Sequence, residues 1–185
     1  MISNFVAANG RVVIALLAYG PSLRGAFVLD DRSLPFMTPG YEVQPLSVWL
    51  TGTRQLLMFT YWLNYQMSEL DPGSYHFTSV MLHVAGSIVF GLVAARFVAW
   101  SGVAAKTRDT LAVFAGALFL LHPVQTESVA YVASRSEVLS VLFFLSAFAL
   151  WLYADDGPVT LLRSVMIVVL FAAAVLTKEH TVILV

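Results

Sequence analysis

The sequence contains no cysteine and few charged residues. The absence of Cys excludes disulfide bonds, thiolate catalysis and zinc sites built on Cys. Charged residues make up 11% of the chain, whereas a typical soluble domain has about 25%. The net charge is −1, so the chain has no excess of positive charge with which to bind nucleic acid phosphates. We therefore expect no nucleic acid partner.

The chain is instead rich in apolar residues, which make up 59% of its 185 residues. Its mean hydropathy is +0.81, and the few polar residues could not cover a water-soluble globule. A membrane-spanning helix needs about 20 mostly apolar residues. Apolar segments that meet this need in whole or in part lie at residues 12–29, 75–95, 110–121, 136–153 and 158–177, and a further one starts near residue 181. The sequence predicts an all-α, polytopic transmembrane bundle of about five to six helices.

Residues 1–185 are interpreted as the N-terminal part of a longer membrane domain, truncated in its sixth helix, because the final run is apolar and has no flanking charge. Residues 30–74 form the predicted first extracytoplasmic loop. Its second half, residues 46–70, is apolar and carries Trp49, Tyr61, Trp62 and Tyr65. Aromatic residues at this density favour a helix that lies at the membrane interface. In the alternative, residues 46–70 span the membrane, and the orientation of every later helix in the membrane is reversed.

The distribution of basic residues gives only a local signal for orientation. With the N-terminus inside, Lys and Arg divide equally between the two sides. The strongest local signal is the group Arg96, Lys106 and Arg108 around one short loop, which indicates a cytoplasmic face.

Three polar clusters would then end on the opposite, extracytoplasmic side of the membrane. They are Asp30-Asp31, residues 122–137 and residues 178–180. An ionised side chain at the centre of a membrane helix costs about 2.5–3.5 kcal/mol. Several such groups on one face therefore predict a water-filled pocket, with the alternative that each cluster only meets water.

Within the second cluster, helical geometry places one polar stripe on a predicted amphipathic helix. Its members are Glu127, Ser128, Tyr131, Ser134 and Arg135. The stripe faces either the pocket or the lipid headgroups, where its charges would pair with one another.

The adjacent carboxylates Asp30 and Asp31 follow the first apolar segment, next to Phe27, Val28 and Leu29. A partly desolvated carboxylate beside a second one has a raised pKa and is suited to act as a general base. A solvated helix end, with a salt bridge to Arg32, explains the pair equally well.

The remaining ionisable residues have simpler interpretations. Lys178-Glu179 fits an ion pair at a helix end, and His76 and His83 fit core positions. The sequence has no HExxH motif or comparable ligand spacing, so no metal cofactor is predicted, although a divalent cation is not ruled out.

Several motifs, in order along nearly the whole chain, resemble one known family. They are FVLDDR at 27–32, R-x4-FTYWLNY at 54–65, YHFTSVMLH at 75–83, LHPVQTESVAYVASRSE at 121–137 and TKEHT at 177–181. Together they are similar to the N-terminal membrane part of the transmembrane and tetratricopeptide-repeat O-mannosyltransferases and their prokaryotic relatives, in the GT-C superfamily. The block at 121–137 is the most specific of these motifs.

The resemblance implies a multi-pass, inverting glycosyltransferase with an extracytoplasmic active face. Its donor would be a dolichyl- or polyprenyl-phosphate hexose such as mannose, and its acceptor a protein Ser or Thr hydroxyl. It also favours the interfacial helix, and tetratricopeptide repeats would follow downstream. The motif match makes Asp30, with Asp31 beside it, the catalytic base.

Other positions receive roles by extension. Arg135 and Lys178 are assigned to the donor phosphate, and His122, Glu127 and Glu179 to orienting the substrates. Two other functions stay open, a membrane anchor for downstream repeats and a transporter. The nearly uncharged centres of the predicted helices count against a transporter.

Overall fold

The computed structural model describes residues 2–41, 43–154, 160–179 and 181, with side chains from residue 10 onward. The α-helices in these ranges are α1 (Ile2–Tyr19), α2 (Leu46–Trp49), α3 (Gln55–Ser68), α4 (Pro72–Trp100), α5 (Ala105–Leu121), α6 (Gln125–Ala130), α7 (Arg135–Leu152) and α8 (Leu161–Thr177). Short 3-10 helices cover Ser22–Arg24, Leu29–Ser33, Pro35–Met37 and Val132–Ser134. Every regular element of the described part of the chain is helical, which confirms the all-α fold class.

Helix α4 is the centre of the bundle. It packs against α1, α5 and α7, and α7 in turn packs against α8. Its start is fixed by the Asp71 side chain, which accepts a hydrogen bond from the Gly73 N–H, and by Pro72 in the first turn. Two described helical segments are long and apolar enough to cross a membrane, Pro72–Trp100 and Val132–Leu152, with hydropathies of 1.9 and 1.6. They contain the predicted spanning segment 75–95 and most of the predicted segment 136–153.

Other boundaries differ from the sequence prediction. The predicted segment at 12–29 was too long, because α1 ends at Tyr19. Gly20 and Pro21 follow, and a proline disfavours helical geometry in the residue before it. The segment predicted at 110–121 lies within the longer α5. Helix α8 starts after Thr160, whose side chain accepts a hydrogen bond from the Arg163 N–H; residues 158–159 and the sixth helix predicted after residue 181 lie outside the described residues.

Helix α1 runs antiparallel to α4. Near its middle, the Arg11 guanidinium lies beside Gly91, where an added Cβ would be 3.0 Å from Nη2. At its end, the rings of Tyr19 and His83 meet edge to face with centroids 5.8 Å apart. The connection formed by residues 20–71 therefore begins and ends at the same end of the bundle, called here the loop end. A connection that crossed the bundle would instead have made α1 and α4 parallel.

Two apolar clusters hold this arrangement together. The first joins α1, α4, α5, α6 and α7 and consists of Ala15, Tyr19, Val80, Val84, Leu120, Val129 and Val138. The second lies beneath the 20–71 connection and consists of Phe27, Phe36, Trp49, Leu57, Tyr61, Tyr75 and Val132. Within it the rings of Phe36 and Tyr75 lie 4.6 Å apart. Burial of these large rings is the main apolar contribution that fixes the connection onto the bundle.

The aromatic residues of the 46–70 stretch divide into two groups. Trp49 and Tyr61 are fully buried, so the prediction that they lie among lipid headgroups was wrong. They pack instead on protein, because the 20–71 connection folds back over them. Trp62 and Tyr65 are only partly buried and pack at the edge of the same cluster.

Candidate active site at the loop end

The loop end collects most of the residues that the sequence analysis singled out. Helix α4 begins here, α5 and α8 end here, and α7 begins here, so the polar residues at these helix ends come together. Helix α3 lies across this end and packs against α4, α7 and α8. The 3-10 helix Leu29–Ser33 lies against the 3-10 helix Val132–Ser134.

Asp30 and Asp31 have different environments. The Asp31 carboxylate is fully buried and accepts hydrogen bonds from the backbone N–H of Ala133 at 2.7 Å and of Val28 at 3.2 Å. It therefore joins two segments that lie about a hundred residues apart in the sequence. Asp30 is exposed, in contrast to the partly desolvated carboxylate expected from the sequence. Of the two carboxylates, Asp30 is therefore the one that is open to solvent.

Tyr131 fixes the position of Asp30. The backbone N–H of Asp30 donates to the Tyr131 hydroxyl at 2.6 Å. Ser33 donates its hydroxyl to the Asp30 carbonyl at 2.7 Å. Leu29, just before the pair, has a φ of 45°, which is uncommon for a residue with a side chain. These contacts hold the turn in a conformation that the local sequence does not favour.

The amphipathic helix predicted through residues 127–135 is not continuous. Helix α6 stops at Ala130, Tyr131 is extended, and α7 begins only at Arg135. Two tertiary hydrogen bonds coincide with the interruption. The Ala133 N–H donates to the Asp31 carboxylate, and the Tyr61 hydroxyl donates to the Val132 carbonyl at 2.8 Å. These bonds use backbone groups in the segment between α6 and α7. The prediction of one polar stripe was therefore wrong.

Arg135 lies inside the protein instead of facing a pocket. Its side chain is fully buried, and its guanidinium donates to the Tyr75 carbonyl at 2.9 Å and to the hydroxyls of Ser79 and Thr60 at 3.3 Å. The guanidinium carbon also lies 4.6 Å from the ring centroid of Tyr61, within cation–π range. This placement departs from the expected contact with a donor phosphate, because the guanidinium is already bound by α3 and α4.

Lys178 and Glu179 do not pair with each other as the sequence suggested. Lys178 forms an ion pair with Glu137 at the start of α7, and Glu179 forms one with Arg54 just before α3, at 3.0 Å. Burial lowers the pKa of Lys178, the positive charge of Arg54 lowers it further, and Glu179 opposes both effects. The hydrogen bonds that the Arg54 guanidinium donates to the Glu179 carboxylate raise the pKa of Arg54. The end of α8 is thus connected to α7 and to α3, and His180 lies outside the described residues.

His122 and Glu127 are both exposed, on either side of the turn into α6. The His122 Nδ1 accepts a hydrogen bond from the Val124 N–H at 3.2 Å. Neither side chain lines the cavity of about 140 Å³ at this end, whose walls are His83, Gly86, Phe119, Gln125, Ser128, Glu137, Val138 and Val141. The cavity is smaller than the roughly 300–1,000 Å³ of pockets that enclose a drug-sized ligand, and the exposed Asp30 lies outside its lining.

Some residues of this region were missed in the sequence analysis. Tyr131 was assigned only to the polar stripe, with neighbours on the same helix, and Arg54 and Glu137 received no role. Their neighbours could not be read from spacing, because each contact joins separate helices or loops. His76 and His83 are buried as expected, and His83 hydrogen-bonds the Leu120 carbonyl at 3.1 Å. Among the described residues, no group of three or more His, Cys, Asp or Glu side chains could hold a metal ion.

The sequence of the chain is similar to those of several known proteins. The chain is 31% identical to the mouse protein O-mannosyl-transferase TMTC3 over 195 aligned positions, which cover 96% of this chain and 20% of that protein. It is 32% identical to the human TMTC3 over 83% of this chain and 17% of that protein. The chain is a relative of the protein O-mannosyl-transferases. A Caenorhabditis elegans protein O-mannosyl-transferase, F38B6.6, is 29% identical over 75% of the chain and 22% of that protein.

The match to the O-mannosyl-transferases therefore extends over most of the chain, which confirms the family resemblance found in its motifs. The chain spans about a fifth of the length of these relatives. No protein-family model matches the sequence, and no solved structure matches it.

Proposed function

We propose that the protein transfers mannose from a polyprenyl- or dolichyl-phosphate donor to a Ser or Thr hydroxyl of a protein acceptor, with inversion at the anomeric carbon. The observation that carries this proposal is the exposed Asp30 carboxylate, which Tyr131 and the buried Asp31 hold in place at the loop end. The relatives named above supply the class of reaction.

Asp30 is the general base in this mechanism. Its carboxylate takes the proton of the acceptor hydroxyl while the hydroxyl oxygen bonds to the anomeric carbon. The bond from that carbon to the lipid phosphate oxygen breaks at the same time, and the phosphate leaves with the electron pair. Positioned base catalysis typically contributes about 10²–10⁴-fold.

Lys178 is the candidate cation for the leaving phosphate. It is partly exposed at the loop end, with a side-chain exposure of 18%, and its ammonium is held by Glu137. Fixed cations near a developing phosphate charge stabilise the transition state. Arg135 is reassigned as a residue that holds α3 and α4 against α7, because its buried guanidinium donates to both helices. Glu179 holds Arg54 at the same end, and His122 and Glu127 stay candidates for orienting substrates at the rim.

The membrane arrangement that fits this mechanism has α1, α4, α5, α7 and α8 crossing the bilayer and α3 lying at the interface. Exposed apolar side chains on the outer faces support it, among them Leu111, Phe114 and Leu118 on α5 and Leu161, Val168 and Val169 on α8. The loop end would then face the extracytoplasmic side.

The test of the base is Asp30→Asn in the intact protein, assayed with a radiolabelled mannosyl-phosphate lipid and an acceptor peptide. We expect transfer to fall about 10²–10⁴-fold with little change in stability. Glu69→Gln removes another exposed carboxylate from the same connection and is expected to keep full activity. Undiminished transfer by Asp30→Asn would refute the assignment of the base and would favour the membrane-anchor function.

The topology has a separate test, made simple by the absence of native cysteine. Single cysteines at Ser33, Gln125 and Ser101 are treated with an impermeant maleimide in intact cells or oriented vesicles. We expect positions 33 and 125 to be labelled from the extracytoplasmic side and position 101 only from the other. Labelling of 33 and 125 from opposite sides would refute the proposed membrane arrangement.

A further inference from the structure

A second polar cavity lies at the end of the bundle opposite the loop end, called here the far end. It has a volume of about 430 Å³ and is partly open. Its walls come from α1, α4, α5 and the residue after α7. Among the described residues, three arginines line it, Arg11, Arg96 and Arg108, and Asp109 is the only carboxylate that does so. The lining groups therefore carry a net charge of +2, and none of them belongs to the site around Asp30.

The Arg11 side chain is built into the packing of three helices. A Cβ added to Gly116 would lie 2.7 Å from Arg11 Nη2 and 2.8 Å from the Ser87 carbonyl, and one added to Gly91 would lie 3.0 Å from Nη2. A glycine inside a helix costs about 1 kcal/mol relative to alanine. Gly91 and Gly116 have no Cβ and so leave the space that the Arg11 guanidinium occupies. The Arg11 Nε is buried with no hydrogen-bond partner among the described residues.

The other two arginines are partly occupied and still line the cavity. Arg96 donates through Nε to the Leu152 carbonyl at 3.0 Å, and its guanidinium carbon lies 5.5 Å from the ring centroid of Tyr153. Arg108 pairs with Asp109 at 2.9 Å, with 38% of its side chain exposed. Both guanidinium groups have further N–H donors for an anion.

We infer that the far-end cavity binds the phosphate group of a phosphate ester, supplied by an anionic phospholipid headgroup. The planar guanidinium group of arginine is positively charged and can donate two parallel N–H bonds to the oxygens of one phosphate. The apolar walls formed by Ile88, Leu92 and Val113 suit the glycerol and first acyl carbons that accompany a lipid phosphate. Trp100 and Tyr153 at the same end are typical of helix ends at headgroup level.

The experiment measures thermal unfolding of the delipidated intact protein in a neutral detergent. Phosphatidylglycerol, phosphatidylcholine, glycerol 3-phosphate and inorganic phosphate are titrated separately, and an apparent affinity is taken from the rise in Tm with concentration. For the wild-type protein we expect saturable stabilisation that is strongest with phosphatidylglycerol. Saturable stabilisation by glycerol 3-phosphate that the lipid does not exceed would keep the phosphate site but assign it to a soluble ester.

Variants of the lining residues decide whether the effect comes from this cavity. Arg108→Gln, which changes a partly exposed side chain, is expected to weaken binding about tenfold, the loss of one charge-assisted contact. Asp109→Asn removes the opposing charge and should tighten binding. Arg163→Gln is the matched control, because Arg163 lies near the start of α8 and does not line the cavity. Arg11→Gln is informative only if it folds, and for that reason the first two variants carry the test.

Two results would overturn the inference. One is equal stabilisation of wild type, Arg108→Gln and Asp109→Asn by every phosphate compound, since binding would then not involve these charges. The other is an absence of saturable stabilisation of the wild type by phosphatidylglycerol, glycerol 3-phosphate and inorganic phosphate alike, since the cavity would then bind no phosphate group.

Discussion

Replacing Asp31 by Asn is expected to destabilise the loop end without touching the proposed chemistry. The buried carboxylate accepts one N–H from Ala133 at 2.7 Å and one from Val28 at 3.2 Å. An amide of the same shape keeps one oxygen acceptor, and its NH₂ group then faces the second N–H. Since Asp31 accepts both bonds, no rotation of the amide can satisfy both donors.

The size of the effect follows from those two bonds. A hydrogen bond to a charged group contributes about 1.5–3 kcal/mol, and a neutral one about 1 kcal/mol. The variant loses one charged bond and weakens the other, but it also removes a charge from a buried site, which offsets part of the loss. We expect a net destabilisation of about 2 kcal/mol. In a domain of 150–250 residues this corresponds to a Tm lower by about 4–8 °C.

The assay is thermal unfolding of the purified intact protein in one detergent, followed by mannosyl transfer measured well below the Tm. Asp30→Asn is the matched comparison, because it makes the same chemical change at an exposed neighbour and should alter stability by less than about 0.5 kcal/mol. The two variants should therefore separate, with Asp31→Asn losing stability and Asp30→Asn losing activity. An Asp31→Asn protein with an unchanged Tm would refute the structural role of Asp31.

Three further predictions concern packing and charge. Gly116→Ala should lower the free energy of unfolding by about 1–3 kcal/mol, because its Cβ would lie 2.8 Å from a backbone carbonyl. Gly86→Ala, whose nearest contact would be 3.9 Å away, should be neutral or stabilising, and the Tm values of both variants test this. Arg135→Lys should destabilise the protein, by about 2 kcal/mol or more, because a lysine cannot make three forked hydrogen bonds and stack on Tyr61; equal Tm values would contradict it. Exchanging Arg54 and Glu179 for each other should restore most of the roughly 0.2–1 kcal/mol lost in either single variant, a coupling that a double-mutant cycle measures and that should weaken in high salt.

The sequence by itself determined the class of this protein. Its scarcity of charge and its long apolar runs predict a helical bundle, since apolar helices of this length satisfy their own backbone hydrogen bonds in a low-polarity environment. The two described helical segments that are long and apolar enough to cross a membrane lie close to their predicted positions, because Pro72 and the polar residues at their ends act locally. The order of the motifs also identified the family. These are properties of neighbouring residues in the chain, and a sequence records them directly.

Tertiary structure decided what each polar residue does. Asp30 and Asp31 are identical in chemistry and adjacent in the sequence, yet one is exposed and the other buried, because only Asp31 meets the backbone of Ala133. Arg135 continues the apparent polar stripe but points inward, since the chain becomes extended at Tyr131. Lys178 and Glu179 each pair with a distant residue instead of with each other. Helical periodicity describes one helix at a time, and these contacts join separate elements, so only the packed structure fixes them.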